Sequence, residues 1–203
     1  MDIRSELMNL STTCISDSAG SLNNLDPGIR PLEEHYTLRG PALTVRLGVN
    51  DNRAVLAAIR SARPGQVLVV DSKGSLYNTI AGDFVVGMAK VMELAGIVVD
   101  GVIRDLRGVK AVGLPVFCRG TTIAVGGKNG QGEVNVPISC GGVPVMPGDW
   151  VVGDADGVTV VPQGAVETVI AGAKEKERKD AERSRKVLVS KDSVRAYLDT
   201  VLG

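Results

Sequence analysis

Aromatic residues are nearly missing from this chain. One Trp, three Tyr and two Phe make up 3% of its 203 residues. A ring-built core is excluded, and so are the stacking platforms that hold single-stranded nucleic acid. Apolar residues still reach 44%, so the core must be Val, Leu, Ile and Ala. Net charge is absent too, because 23 Lys and Arg balance 23 Asp and Glu. That removes the broad positive field of a nucleic-acid binder, and no direct nucleic-acid partner is expected. Histidine occurs once, as His35, in a loop-rich stretch where a structural role is expected. Cysteine occurs three times, as Cys14, Cys118 and Cys140, with no CxxC and no Cys/His cluster. Thiolate zinc sites are therefore not expected; the thiols read as small buried apolar groups in a reducing cytoplasm. No apolar run is long enough to span a bilayer and no signal peptide is recognisable, so a cytoplasmic location away from membranes is expected.

What is present is a regular alternation. The length suits one domain with a helical tail, divided as 1–162 and 163–203. Periodicity predicts helices at 3–9 and 12–22, the second capped by Ser11 or Thr12. A loop-rich stretch, 23–38, leads to a strand at 40–48, a helix at 52–62 and a strand at 66–71. Then come a helix at 83–95, a strand at 97–101, a short helix at 106–112 and a strand at 115–119. Strands alternating with helices imply a three-layer α/β fold with a mostly parallel sheet. Between 132 and 161, Gly-rich turns separate short Val-rich strands, which reads as an antiparallel addition. Within it GDADG, 153–157, lacks EF-hand ligand spacing and reads as a hairpin turn. Helices at 164–185 and 190–201 finish the chain, and the charge run within 173–186 reads as a solvated face or as a helix reaching a neighbouring subunit.

The segment AGDFVVGMAKVMELAGIVVDGVIRDLRGV, 81–109, carries the chemistry. Gly82 precedes a run of helix formers, and Asp83 sits where the helix begins, an acidic complement to its dipole. The first amides of a helix lack internal partners and can hold an anion. Ile97, Val98 and Val99 read as a strand buried on both faces, and Arg104 and Asp105 follow it. Ligands gather at the carboxyl ends of strands in such sheets. An Arg there can fork onto a carboxylate, and an Asp can ligate a hard cation that keeps its waters. Taken alone, an Arg–Asp pair in a loop is usually a surface ion pair of little worth. Lys73 and Lys90 occupy no obviously apolar setting of the kind a Schiff-base lysine needs.

Seven blocks, in order, resemble the RraA-like family. They are STTCISDSAG (11–20), RGPALTVR (39–46), DNRAVLAAIRSARPGQVLVVD (51–71), GDFV (82–85), GIVVDGVIRD (96–105), LPVFCRGTT (114–122) and VNVPISCGGVPVMPGDWVVGDADGVTVVP (134–162). The family is named for a regulator of ribonuclease E activity. It also holds aldolases for 4-hydroxy-4-methyl-2-oxoglutarate and 4-carboxy-4-hydroxy-2-oxoadipate. The resemblance implies a three-layer β/β/α swivelling-type domain with a central, mostly parallel sheet, an antiparallel addition and a C-terminal helix. It implies that Gly82, Asp83, Phe84 and Val85 bind a substrate carboxylate through backbone amides, and that Arg104 binds substrate too. It implies Asp105 as the ligand of a magnesium or manganese ion, with Asp83 near the catalytic water.

The activity so implied is a metal-dependent lyase cleaving 4-hydroxy-2-oxo diacids to pyruvate, with oxaloacetate decarboxylation on the side. Arg104 and Asp83 are then the catalytic side chains. A homotrimer or hexamer is implied as well, with Glu175 or Glu177 of a neighbouring subunit approaching the metal site. The alternative within the family is a non-catalytic regulator that binds a ribonuclease E-like protein. One position departs from the pattern: family enzymes often carry an acidic residue at 108, and this chain has Gly108. A weakened metal site is the expectation, repaired by an acidic residue at 108 unless the backbone there needs a positive φ.

Overall fold

The computed structural model describes residues 2–48, 51–128, 130 and 132–203. Two short helices come first, α1 (Ile3–Met8) and α2 (Thr12–Ser18). Each begins where a side-chain oxygen takes an otherwise unpaired amide. Asp2 accepts from the Arg4 N–H, and Ser11, not Thr12, accepts from the Cys14 N–H. Helix α2 stops at Ser18 instead of reaching 22, because Gly20 and Ser21 turn to positive φ. A two-residue strand β1 (Arg30–Pro31) then precedes β2 (Leu38–Leu47).

From there the chain alternates through α3 (Arg53–Ser61), β3 (Val67–Thr79), α4 (Asp83–Val91), β4 (Gly96–Ile103), α5 (Leu106–Val112) and β5 (Val116–Cys118). Each helix returns the chain to the edge it left, so β2, β3, β4 and β5 pair in parallel, in the order β5-β4-β3-β2. Val70 stands beside Val99 and Asp71 beside Asp100. All eight residues of β4 are buried, as expected of a strand covered on both faces. Two further elements differ most from expectation. Strand β3 continues eight residues past Asp71 to Thr79, bent by left-handed Lys73 and Gly74, with register shifts against β4. Helix α4 ends at Val91 rather than 95, where Glu93 turns left-handed.

The last third adds β6 (Gly120–Thr121) beside β4 and β7 (Gly132–Val134) beside β2. Strands β8 (Ile138–Cys140) and β9 (Val143–Val145) form a separate hairpin. Strands β10 (Trp150–Asp154) and β11 (Gly157–Val161) extend the sheet antiparallel to β2. GDADG is the β10–β11 turn, as expected: Asp154 pairs with Gly157, and its Oδ1 accepts the Asp156 N–H. Helices α6 (Val166–Val187) and α7 (Lys191–Leu202) close the chain.

Alternation along the strands divides the core. Leu68, Val70, Ile97 and Val99 pack with α3, α4 and α5. Val67, Val69, Val98 and Phe117 pack with Ile138, Cys140, Val143 and Val145 of the hairpin. Helices, parallel sheet and β addition are thus the three expected layers. A third cluster seats Val166, Val169, Ile170 and Ala173 of α6, at i, i+3, i+4 and i+7, on Leu7, Leu10, Ile15, Val152 and Val161. Beyond Ala173 the helix is solvated and laced with ion pairs such as Arg178–Glu175 and Arg178–Glu182, and α7 buries no residue. Arg39 is buried where α1 meets the sheet and donates to the carbonyls of Leu7, Leu10, Leu38 and Gly153. Burial holds its pKa below the usual guanidinium value, with the Asp154 carboxylate opposing. Among the described residues no helix is long and apolar enough to cross a membrane.

With aromatics so scarce, the fully buried Phe117 carries a large share of the second core cluster. Phe117→Ala is expected to lower unfolding free energy by about 3–5 kcal/mol. Chemical denaturation checks this, and a loss under ~1 kcal/mol would show that the cluster does not depend on the ring.

Candidate active site at the carboxyl ends of β3 and β4

Strand β4 runs out at Ile103, and the next two residues are Arg104 and Asp105. The loop before α4 lies against them, tied by two backbone hydrogen bonds. The Ile80 N–H donates to Val102 O at 3.0 Å, and the Arg104 N–H to Ala81 O at 3.0 Å. The N-termini of α4 and α5 therefore open beside one another. A cleft of about 200 Å³ between them gathers Gly82, Asp83, Phe84, Val85, Arg104 and Asp105, the six residues expected to bind substrate or metal. That volume is below the range for drug-sized ligands and suits a small acid.

The Arg104 Nε stands 3.1 Å from Asp105 Oδ2, with the two side chains 40% and 42% exposed. At that exposure the pair adds little stability, and both groups are reachable from the cleft. Asp105 is the N-cap of α5 but makes no capping bond; its backbone is left-handed, at φ 54 and ψ 42. A non-Gly residue there costs roughly 1–2 kcal/mol, least for Asp and Asn. Helix α4 starts from Gly82, which offers no side-chain cap. Of its first amides, Phe84 N–H is taken by Asp83 Oδ1 at 2.7 Å.

Gly108 lies inside helix α5 without a positive φ, so its backbone would accept a side chain. The space would not: a Cβ there would stand 2.5 Å from Asp83 Oδ2 and 2.8 Å from Asp83 Cβ. The position expected to lack a carboxylate is already filled by one from α4. An acidic residue at 108 would have to displace Asp83, which corrects the expectation that it would simply repair the site.

Among the cleft's other residues, Asn52 and Lys128 carry polar groups not anticipated from the sequence. Asn52 precedes α3 where a cap is expected, but Asp51 does the capping, accepting Arg53 N–H at 2.7 Å. The Asn52 amide instead reaches Ile80 O at 3.4 Å, and its buried Oδ1 has no hydrogen-bond partner. Lys128, exposed at the cleft, comes from a Gly-rich turn whose local sequence has nothing to single it out. An Asn ahead of a helix whose neighbour Asp could cap instead was the one available signal.

Other candidates stand elsewhere. His35 packs edge-on against Tyr36, ring centroids 4.8 Å apart, ahead of β2. Lys90 donates to Val112 O and ties α4 to α5. Asp100 is buried in a pair with Arg119, Nε to Oδ1 2.5 Å, and accepts Gly141 N–H. Burial pushes the Cys118 thiol up to about 11 and raises Cys140 as well, with nearby Asp100 and Asp71 adding to the effect. All three thiols are buried. Within its own subunit Glu177 accepts the Ser11 N–H at 2.9 Å. Glu175 is held down to about 2, chiefly by its hydrogen bonds from Arg178.

Residues 12–160 match the sequence profile of the RraA-like family, described as Aldolase/RraA. A relative from Halalkalibacterium halodurans, named "Putative 4-hydroxy-4-methyl-2-oxoglutarate aldolase", is 51% identical over 202 residues, covering 100% of this chain and 96% of its own. An uncharacterized protein from Pseudomonas syringae pv. tomato has a solved structure similar at a TM-score of 0.85 and 28% identity, over 97% of this chain and 93% of that one. The RNA-processing inhibitor RraA of Thermus thermophilis is similar at 0.71 and 31% identity, over 77% and 94%.

The left-handed backbone of Asp105 separates its structural role from any chemical one. Asp105→Asn is expected to unfold within about 0.5 kcal/mol of wild type, while Asp105→Ala loses roughly 1 kcal/mol or more because Ala tolerates αL poorly. Urea titration of both variants checks this; equal stabilities would show that the backbone strain is not felt.

Proposed function

This chain belongs to the RraA-like family, and on that footing we propose that it is a divalent-metal-dependent lyase that cleaves 4-hydroxy-2-oxo diacids to pyruvate. 4-Hydroxy-4-methyl-2-oxoglutarate is the substrate of choice, with decarboxylation of oxaloacetate as a side reaction. The observation that carries the proposal is the single cleft in which Arg104, Asp105, Asp83 and the start of α4 converge.

The donor set fits a hard cation that keeps most of its waters. Among the described residues no group of three or more His, Cys, Asp or Glu is placed to cage a metal. Magnesium typically needs only one or two protein carboxylates besides water and substrate. Asp105 would hold it, and when bound it would supply positive charge at the substrate's 2-oxo oxygen. Arg104 keeps its two terminal nitrogens for the pyruvyl carboxylate, since Nε leans on Asp105. The amides of Asp83 and Val85 are the helix-start donors left for that same carboxylate, because Phe84 N–H is already bonded.

Cleavage begins when a water oriented by Asp83 takes the 4-hydroxyl proton. The C3–C4 bond then breaks, its electron pair moving into a pyruvate enolate, and C4 leaves as a carbonyl. Negative charge grows on the enolate oxygen near Arg104, so that side chain binds the transition state more tightly than the ground state. Protonation at C3 releases pyruvate. Loss of carbon dioxide from oxaloacetate forms the same enolate, which is why one site would serve both. At the far end of the substrate, Lys128, exposed at the cleft, would meet the second carboxylate.

A rival reading draws on the inhibitor named among the similar structures: a non-catalytic protein that binds a ribonuclease E-like partner. A carboxylate clamp beside a metal-ligating acid has no evident use in such a binder. The trimer or hexamer implied by the family agrees with an open apolar groove next to the cleft, lined by Leu56, Ile59, Phe84, Met88, Val91 and Met92.

A magnesium-dependent pyruvate-release assay over 4-hydroxy-2-oxo acids and oxaloacetate tests the reaction. Wild type should turn over, Asp105→Ala should be inactive while folded, and Arg104→Lys should lose roughly ten- to a hundred-fold in kcat/KM, having kept the charge but not the fork. Full activity in excess chelator, or unchanged kinetics in Arg104→Ala, would refute the roles given. Inertness of wild type across the panel would favour the regulator. Assembly is checked by light scattering at micromolar concentration, where a monomer would contradict the trimer.

A further inference from the structure

Gly82 and Gly108 stand on different elements, one before α4 and one inside α5, and neither needs to be glycine for its backbone. Gly82 is extended, at φ −123, and Gly108 is helical. Glycine inside a helix costs about 0.8–1.0 kcal/mol against alanine, so something other than φ and ψ must favour it. A Cβ on Gly82 would stand 2.4 Å from Asp105 Oδ2 and 3.3 Å from Arg104 Nε. A Cβ on Gly108 would stand 2.5 Å from Asp83 Oδ2. The residue just ahead of Asp83 supplies the glycine under Asp105, and the helix that follows Asp105 supplies the glycine under Asp83.

We propose that Gly82 and Gly108 are a reciprocal pair of positioning residues, each the seat of the other element's carboxylate. Together they set where Asp83 and Asp105 stand over the cleft. At Gly82 the nearest atom is the far end of a short side chain, so an added methyl is relieved by rotating the Asp105 carboxylate away. At Gly108 the Cβ of Asp83 is also within 2.8 Å, so α4 and α5 must part by a few tenths of an ångström as well. Either change leaves the cores intact and moves a carboxylate. Gly87, in the middle of α4, is the natural control, since nothing lies within 4 Å of a Cβ built there.

The functional meaning of these seats rests on the lyase reading, so the test separates the two. The full chain is prepared as wild type, Gly87→Ala, Gly82→Ala, Gly108→Ala, Asp83→Gly and Gly108→Ala/Asp83→Gly. Pyruvate release, Mn2+ binding by calorimetry and urea unfolding are measured on each. Gly87→Ala should match wild type in turnover and be no less stable. Gly108→Ala should stay folded and lose about ten- to a hundred-fold in kcat, with KM, set mainly by Arg104, changed less than three-fold. Gly82→Ala should weaken Mn2+ binding by about ten-fold or more, because it displaces Asp105. In the Asp83→Gly background, Gly108→Ala should add no further loss in any measurement and should become neutral to stabilising in urea, since the atoms it met are gone. Wild-type kcat and Mn2+ affinity in both single glycine variants would overturn the proposal. So would an equal loss from Gly108→Ala with and without Asp83. If wild type neither binds Mn2+ nor releases pyruvate, the lyase reading fails on its own. The urea cycle then decides the seat, with coupling between 108 and 83 supporting it and additivity overturning it.

Discussion

The site depends on two backbone hydrogen bonds, Ile80 N–H to Val102 O and Arg104 N–H to Ala81 O. They join the end of β3 to the end of β4 after the regular ladder has slipped register. They hold the turn into α4 against the turn into α5, and with the Lys90–Val112 tie between the two helices they set Asp83 relative to Asp105. The bonds are possible because β4 is buried along its whole length. A strand covered on both faces cannot slide without exposing apolar groups, so its end is a stable reference point for whatever follows.

Aliphatic packing provides that stability. Three clusters share the work: sheet against helices, sheet against hairpin, and α6 against the N-terminal helices. Val, Ile and Leu dominate because their branched side chains fit a pleated surface, and Phe117 is the largest fully buried side chain. The exposed ion pairs of α6 contribute little by comparison. Arg39 is different. Its buried guanidinium donates to backbone carbonyls of the N-terminal segment, β2 and β10, so removing it would take a donor from acceptors that lie away from water.

Much of this was legible in the residues. Ser11 as a cap, the apolar run of β4 and the helix at 106–112 follow from local rules, since capping and burial periodicity act within a few residues. The GDADG turn followed from what it lacked, the spacing of a calcium loop. Gly82, Asp83, Arg104 and Asp105 were legible as candidates because chemistry-bearing residues cluster at strand ends in alternating folds, and because the chain resembles a family in which those positions have roles. Less legible were the elements whose ends depend on tertiary contacts. Strand β3 runs past Asp71 because β4 and the residues after β5 offer partners there, for example Ala124 O to Thr79 N–H. Asn52 was hidden because Asp51, one residue earlier, took the capping role its position suggests.

The layering, the aliphatic nature of the core and the identity of the acids and the guanidinium at the sheet's edge could be read from the residues alone. These depend on periodicity and residue type, which are properties of short stretches of chain. How those groups meet depends on the folded chain. Gly108 looked like a missing carboxylate in the one-dimensional pattern, and in three dimensions it is the room that Asp83 occupies. Which atom fills a given volume depends on every element around it, and no local rule carries that information.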